Sequence, residues 1–343
     1  MLRTLIVGDI HGCYDELMAL VDEACADRVV SVGDMVDRGP ASEAVWRFFA
    51  ETEGAVAILG NHEQKCMRWH HEGLRPALSQ RITRKQHGEQ AWMQALGWFA
   101  TLPRWLELDE VTVVHGFWEP GRAVHEQHPT VITGTLTGEK RVRRLARPWY
   151  ELYDGPKPLV VGHAIYDGAS PLIHDDRVYG IDTGCVHGLK LTGLVVPTFE
   201  IVQVDARADH WQAQRAAHPD LRFAGVDPDK LDWSTARQVL PQLGAHPHSV
   251  DKATHLTGLL ADAEAAAERL LAAVEAEHRA AEAALPDDYD ARSYARAIRG
   301  SRITELLHRR RTAGFDRAQL EARWSRPAQL LRYVRSVWPD EIP

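Results

Sequence analysis

The chain has 343 residues, 45% of them hydrophobic and 26% charged, a near-average globular composition that excludes intrinsic disorder, collagen-like repeats and disulfide scaffolds. Lys and Arg number 40 against 48 Asp and Glu, and the formal charge of −8 argues against a protein that coats nucleic acid through overall basicity. Cys13, Cys25, Cys66 and Cys185 form no C-x-x-C pair, so neither a zinc ribbon nor a disulfide framework is signalled and a reducing compartment is expected.

The first residues read as a short strand with too little apolar length for a signal peptide, and no run reaches the ~18 residues of a spanning helix. A cytoplasmic protein with no membrane partner is therefore expected. Short β-branched runs at 5–7, 29–32, 56–59, 111–114, 159–161 and 178–181 predict buried strands, with helical stretches at 14–24, 42–50 and 63–71 between the early ones. Strand, helix, strand repetition predicts an α/β layered fold. Gly-Asp, Gly-Asp, Gly-Asn and His-Gly each fall at the end of a strand, where open α/β sheets carry their sites.

After a strand at 199–204 the texture changes, and a boundary is expected near Asp205. Residues 1–205 form the main domain in this reading, 206–252 a linker or covering segment without sustained period, and 253–343 a helical C-terminal region. Leu256, Leu259, Leu260, Ala263, Ala267, Leu270, Leu271 and Val274 fall at helical spacing, Pro286 ends that helix, and further helices are expected from about Asp290 and Asp316. The apolar stripe predicts core or dimer packing before a docking groove. Residues 291–336 hold twelve arginines against three acids. Arg292, Arg296 and Arg299 share one helix face, which reads first as a solvated face or as a partner of Glu264, Glu268, Glu275 and Glu277; contact with nucleic acid is the less favoured reading.

Four blocks carry the chemistry: Gly8-Asp9-Ile10-His11-Gly12, Gly33-Asp34-Met35-Val36-Asp37-Arg38-Gly39, Gly60-Asn61-His62-Glu63, and the histidines of Val114-His115-Gly116 and Gly162-His163-Ala164. Singly, each reads as ordinary turn and cap chemistry. Together they supply carboxylates, an amide oxygen and at least three imidazoles at successive strand ends, which describes a metal cage. Oxygen and imidazole donors without thiolates suit Mn, Fe or Zn, and a carboxylate between two divalent ions can bridge them.

These blocks resemble the signature of the calcineurin-like metallophosphoesterases, with the phosphoprotein-phosphatase-type branch the closest, over roughly residues 4–200. The resemblance implies a metallophosphoesterase sandwich of two sheets flanked by helices, with a dinuclear site on loops at the strand ends. It further implies that Asp9 and His11 bind one metal, that Asp34 bridges, and that Asn61, His115 and His163 bind the other, with two divalent ions as cofactors, manganese first and iron or zinc as alternatives. His62 would be the general acid, Asp37 would orient it, and Arg38 would bind two phosphate oxygens through its planar fork. A second phosphate-binding arginine is expected between His115 and His163, with Arg147 preferred over Arg122, Arg141, Arg143 and Arg144.

The second half departs from the branch: His115-Gly116 continues into Phe117-Trp118, two aromatics expected to wall the cleft. Thr133-Gly-Thr-Leu-Thr-Gly-Glu139, Arg147-Pro-Trp149, Val161-Gly-His163 and Ile181-Asp-Thr-Gly-Cys185-Val resemble the bacterial subgroup that includes polynucleotide phosphatase domains and symmetrical dinucleoside tetraphosphate hydrolases. His187 stands where that subgroup ends in a glycine-rich loop. Cys185 reads as a small buried residue, since no Cys-x5-Arg loop surrounds it. His70, His71, His125, His128, His174, His246 and His248 read as surface residues. The expected function is hydrolysis of a phosphate ester by a two-metal-activated hydroxide, first as a phosphomonoesterase of the Ser/Thr protein phosphatase type. The alternatives are a dinucleoside tetraphosphate hydrolase, a polynucleotide-end phosphatase or, from another class, a non-catalytic scaffold that uses its helical tail. The partner is thus a phosphorylated substrate, protein or nucleotide, and nothing in the sequence sets an oligomeric state.

Overall fold

The structure is a computed structural model that describes residues 2–245 and 249–339; His246 and His248 lie outside the described residues. The chain divides into two compact units, with the boundary between Leu221 and Arg222. No helix among the described residues is long and apolar enough to cross a membrane.

The first unit runs β1 (Thr4–Val7), α1 (Tyr14–Ala24), β2 (Arg28–Ser31), α2 (Ser42–Glu51), β3 (Ala55–Ala57), α3 (Asn61–Glu72), α4 (Leu78–Phe99), β4 (Trp105–Glu107), β5 (Thr112–Val114), β6 (Leu159–Val161), β7 (Leu172–His174), β8 (Val178–Gly180), β9 (Lys190–Val196) and β10 (Glu200–Asp205). The strands form two five-stranded sheets, ordered β10-β9-β1-β2-β3 and β4-β5-β6-β8-β7. In the first, β1, β2 and β3 are parallel and β9 runs antiparallel to its two neighbours β1 and β10; in the second, β5, β6 and β8 are parallel and β4 and β7 run antiparallel to them.

Alternation along the strands sorts the core into layers. Ile6, Val30 and Leu194, aligned by the register Ile6↔Val30 and Ile6↔Leu194, face Val113, Val160 and Ile181 of the other sheet. Their neighbours Leu5, Val7, Val29 and Val195 point outward against Leu17, Leu20, Val45, Trp46, Trp92 and Phe99 of α1, α2 and α4. Val114, Leu159, Val161 and Val178 on the outer face of the second sheet are covered by Phe117, Trp118, Val131, Val142 and Trp149. Because β1, β2, β3, β5, β6 and β8 all run parallel within their sheets, the polar residues that follow them gather at strand ends.

The stretch 206–252, expected as a linker or covering segment without sustained period, is divided between the two units and carries helices at His210–Ala217, Pro219–Ala224 and Trp233–Gly244. Asp209 and Asp232 cap the first and third of these by accepting from Gln212 N and Thr235 N, an N-cap signal that a search for apolar period passes over. Within the first unit, buried Glu16 of α1 ties this stretch down. Its Oε1 accepts from Arg207 N at 2.9 Å and from His210 Nε2 at 2.7 Å. Burial alone would raise the Glu16 pKa, but the Arg207 and His210 bonds outweigh it and hold the carboxyl below its usual 4.5. A pKa lowered on folding contributes stability that is complete above the unfolded value and is lost as pH falls through the folded one. Glu16→Gln should therefore melt earlier than wild type at about pH 7, and the gap should narrow towards about pH 3, as thermal unfolding followed by circular dichroism would show.

The second unit is helical. Its 34-residue helix, Val250–Ala283, buries Leu256, Leu259, Leu260, Ala263, Ala267, Leu270 and Val274 against Trp233, Tyr294, Leu306, Leu307, Leu330 and Val334, so the apolar stripe is core. Asp290 and Asp316 cap Ala291–Ala297 and Arg317–Arg323, and Thr304–Ala313 and Pro327–Val337 complete the unit. The acidic helix does pair with arginines: Glu264 with Arg237 and Arg317, and Glu275 with Arg279 and Arg310. Arg292, Arg296 and Arg299 are exposed.

Candidate active site

Asp9 follows β1, Asp34 follows β2, Asn61 opens α3 just past β3, His115 follows β5, His163 follows β6 and Asp182 follows β8. Close packing makes this possible. A Cβ on Gly60 would lie 2.2 Å from Asp34 N, and one on Gly162 would lie 2.1 Å from Asp9 Oδ1, so only glycine fits at either place. His11, Asp34, Asp37, Arg38 and His163 all have positive φ, between 47° and 73°. Left-handed backbone at non-glycine residues costs energy, and such residues cluster at functional sites.

Glu63, fully buried, holds this strained loop. Its carboxylate accepts from Gly60 N and Asp34 N, both at 3.0 Å, from Met35 N at 2.8 Å and from Val36 N at 3.1 Å. Burial and the neighbouring Asp34 push its pKa up to about 7 in spite of those donors.

The structure brings together the six residues expected as metal ligands. Two groups have all their donor atoms within 4.8 Å of one another, His11 with Asp34 and His62, and Asp34 with His115 and His163, and Asp34 is common to both. Two of the imidazoles are aimed by their other ring nitrogen. His11 Nδ1 donates to Val36 O at 2.8 Å and His115 Nδ1 to Val32 O at 2.9 Å, which turns both Nε2 atoms inward. Asn61 Oδ1 lies 3.0 Å from His115 Nε2 and 3.1 Å from His163 Nδ1. Asp9 Oδ1 accepts from His163 N at 2.9 Å, and its Oδ2 lies 4.0 Å from His11 Nε2.

Beside this cluster, His62 Nδ1 donates to Asp37 Oδ2 at 2.8 Å and leaves Nε2 facing the site. Arg38 spreads its fork across two rings, Nη1 donating to His11 Nε2 at 2.9 Å and Nη2 to His62 Nε2 at 3.0 Å. Arg147 is not brought to the cluster. Its side chain is 63% exposed with Glu151 3.9 Å away, in the wall of a groove that also includes His163. Of its rivals, Arg141 and Arg143 pair with Glu119 and Glu139, and Arg122 bonds Glu126 O.

Phe117 sets its ring edge-on against His163, with centroids 5.1 Å apart, and does wall the cleft; Trp118 instead turns into the core, its Nε1 donating to Asp154 Oδ1. Cys185 is buried, as expected, and packs in the same core cluster as Cys13. Two residues of consequence were missed in the sequence. Glu63 stands in the quoted block and its role is visible only from the four amides it collects. Asp182 is buried beside Asp9, and its signal was the Gly-Asp-like placement at a strand end.

The electrostatics follow from three carboxylates buried in one place. Burial and Asp182 raise Asp9 well above the usual range, and burial raises Asp182 to about 6 against the bond from Gly184 N. Burial opposes a charged His115, but Asp34 and Asp9 outweigh it and push the ring up to about 10, whereas burial and His115 depress His163 to about 3. The cluster thus draws in positive charge.

The family model described as calcineurin-like phosphoesterase matches residues 2–188. The asymmetrical bis(5'-nucleosyl)-tetraphosphatase PrpE of Bacillus velezensis is 31% identical over 232 residues, 59% of this chain and 92% of that one. The protein of the same name from Bacillus subtilis is 31% identical over 229 residues, 58% of this chain and 93% of that one. A crystal structure of a candidate diadenosine tetraphosphatase is 28% identical and superposes with a TM-score of 0.51 over 60% of this chain and 94% of that chain. With that match across the two sheets and the strand-end cluster they position, the chain belongs to the calcineurin-like phosphoesterase family of metal-dependent phosphoester hydrolases.

Proposed function

We propose that this chain hydrolyses bis(5'-nucleosyl) tetraphosphates asymmetrically, leaving one phosphate on one nucleoside and three on the other. The reaction class rests on one observation: Asp34 is common to two groups of converging donors, one with His11 and His62 and the other with His115 and His163, and the Arg38 fork spans the His11 and His62 rings. The substrate is supported by the similarity to tetraphosphatases, which favours this reading over the Ser/Thr protein phosphatase type that the motifs suggested first.

The donor set fits divalent cations. Asn61 Oδ1 faces Asp34 Oδ2 at 3.0 Å, acceptor against acceptor, while its amide nitrogen faces Lys65 Nζ at 2.7 Å. The chemistry of the donors carries the fit: the carboxylate of Asp34 and the imidazoles of His115 and His163 converge on one place beside the Asn61 amide, with no thiolate among them. In this proposal Asp9, His11 and Asp34 hold one ion, and Asp34, Asn61, His115 and His163 the other, manganese first, iron or zinc as alternatives. When bound, the ions supply positive charge to the phosphoryl oxygens and make water acidic enough to attack phosphorus near neutral pH.

The chain's own groups do the rest. The His11 Nε2 lone pair cannot serve both Arg38 and a cation, so ion binding frees the guanidinium to take two phosphoryl oxygens, which its planar fork matches. Asp37 accepts from His62 Nδ1 and orients the ring so that Nε2, once released by Arg38, can hand a proton to the departing oxygen. Glu63 positions the loop of Asp34, and Glu63→Gln replaces an acceptor oxygen with an amide donor against backbone N–H groups. It should weaken Mn2+ affinity by about 10-fold to 100-fold with the fold retained, measured by calorimetric titration of metal-stripped protein.

The test of the function is incubation of metal-stripped protein with diadenosine tetraphosphate and Mn2+, with products separated by ion exchange. AMP and ATP in equal amounts are expected. Two ADP would replace asymmetrical with symmetrical cleavage, dephosphorylation of a phosphoserine peptide alone would return the protein phosphatase reading, and folded, metal-loaded protein inert on all of these would leave the scaffold.

A further inference from the structure

Two grooves each reach one member of a contacting pair of side chains, His163 and Asn61. One, about 560 Å³, is lined by Phe117, Trp149, Tyr150, Ile165 and Tyr166 and reaches His163. The other, about 700 Å³, is lined by Lys65, Arg68, His71, Thr130 and Thr135 and reaches Asn61. The two residues the grooves reach are in contact, with Asn61 Oδ1 and His163 Nδ1 3.1 Å apart.

The first groove is built of locked rings. Phe117 packs against Trp149 at 6.1 Å between centroids, Trp149 against Tyr150 at 5.9 Å and Tyr150 against Tyr166 at 5.7 Å, each pair edge-to-face. Trp149 Nε1 donates to the Tyr166 hydroxyl at 3.2 Å; Phe117 and Trp149 are buried, and the half-buried Tyr150 and Tyr166 are the rings that present surface to a ligand. Ile165 is 43% exposed at this site, an apolar side chain left in the open. The second groove offers two cations beside apolar Met67 and Leu136, whereas the arginines of the first, Arg143 and Arg147, stand against Glu139 and Glu151. Lys65 and Arg68 are exposed three residues apart on one face of α3, with Glu72 sharing Arg68 at 3.0 Å.

Resting on the tetraphosphate reading, we infer that the aromatic groove takes the base of the nucleoside whose α-phosphorus is attacked, and that the Lys65 and Arg68 groove takes the other three phosphates. A flat heteroaromatic ring stacks on aromatic side chains whatever its hydrogen-bonding edge, and a polyphosphate needs cations and gains nothing from rings. Anchoring the base beside His163 brings the first phosphate into the cluster and holds the inner two beyond it. The oxygen of water, giving up one proton to solvent, then bonds to the α-phosphorus, the bond from that phosphorus to the α–β bridging oxygen breaks, and the bridging oxygen leaves on the triphosphate with its electron pair and takes a proton from His62. Asymmetry is thereby a consequence of groove order.

Two sets of variants test the assignment. Tyr150→Ala should lower kcat/KM for diadenosine tetraphosphate about tenfold more than for p-nitrophenyl phosphate, mainly through KM, and Tyr150→Phe should restore the ratio. The double variant Lys65→Gln, Arg68→Gln should raise the inhibition constant of inorganic tripolyphosphate about tenfold, an effect Tyr150→Ala should not share. If diadenosine tetraphosphate is turned over and the ratio and inhibition constant stay within about twofold of wild type, the groove assignment falls and the substrate reading stands. If wild type hydrolyses p-nitrophenyl phosphate but leaves the tetraphosphate intact, the substrate reading falls and takes the assignment with it.

Discussion

Asp34→Asn should reduce turnover of diadenosine tetraphosphate by about a thousandfold or more while leaving the fold intact, a loss of about 4 kcal/mol in transition-state stabilisation. Asp34 is the member common to both donor groups. Its Oδ1 lies 3.4 Å from His115 Nε2 and its Oδ2 lies 3.7 Å from His11 Nε2, so each oxygen addresses a different side of the cluster. Burial would raise its pKa, but His115 and His62 outweigh that and keep the group ionised. Asparagine removes the charge and puts an amide N–H₂ where one oxygen faced a cation.

The same substitution is mild for the fold. Asp34 has φ 51°, a conformation asparagine tolerates, and the remaining amide oxygen can still accept from His62 N, bonded at 2.8 Å. The variant should therefore melt close to wild type and bind fewer than two equivalents of Mn2+, by elemental analysis after dialysis. Two tightly held ions with near-normal turnover would show that Asp34 does not bridge, and the pairing of ligands would have to be redrawn.

How much of this was legible in the sequence depends on where the information sits. Strand cores such as 5–7 and 159–161 and the ends of α1 were readable because a buried strand or an amphipathic helix repeats its chemistry over several residues. The ligand blocks were readable because a cation cage needs a few residue types at strand ends. By contrast α4 was missed: its 22 residues bend at Gly88, where φ is 67°, and mix polar and apolar residues with little period. β9 was missed too, although it sits between β1 and β10, because a central strand buried on both faces lacks alternation. The roles of Glu63 and Asp182 depend on contacts between distant segments, which no local pattern encodes. The same holds for the grooves, since Lys65 and Thr135, or Phe117 and Ile165, become neighbours only in the folded chain.

The second large effect is expected at His62. His62→Ala should lower kcat for diadenosine tetraphosphate by about 10²-fold to 10³-fold, with two ions still bound, because the ring acts on the leaving oxygen. The size of the loss should depend on that oxygen. A departing triphosphate and p-nitrophenolate are both weakly basic, whereas phenolate, with a pKa of about 10, needs a proton to leave, so the variant should lose much more on phenyl phosphate than on p-nitrophenyl phosphate. Asp37→Asn should follow the same order with a smaller loss, since it removes the carboxylate that accepts from His62 Nδ1 at 2.8 Å and leaves the ring in place. This leaving-group dependence separates proton donation from a merely structural role, which would depress both substrates alike. Equal losses on the two substrates, or loss of metal from His62→Ala, would move His62 from acid to ligand, a reassignment its position 3.9 Å from Asp34 Oδ2 makes meaningful to test.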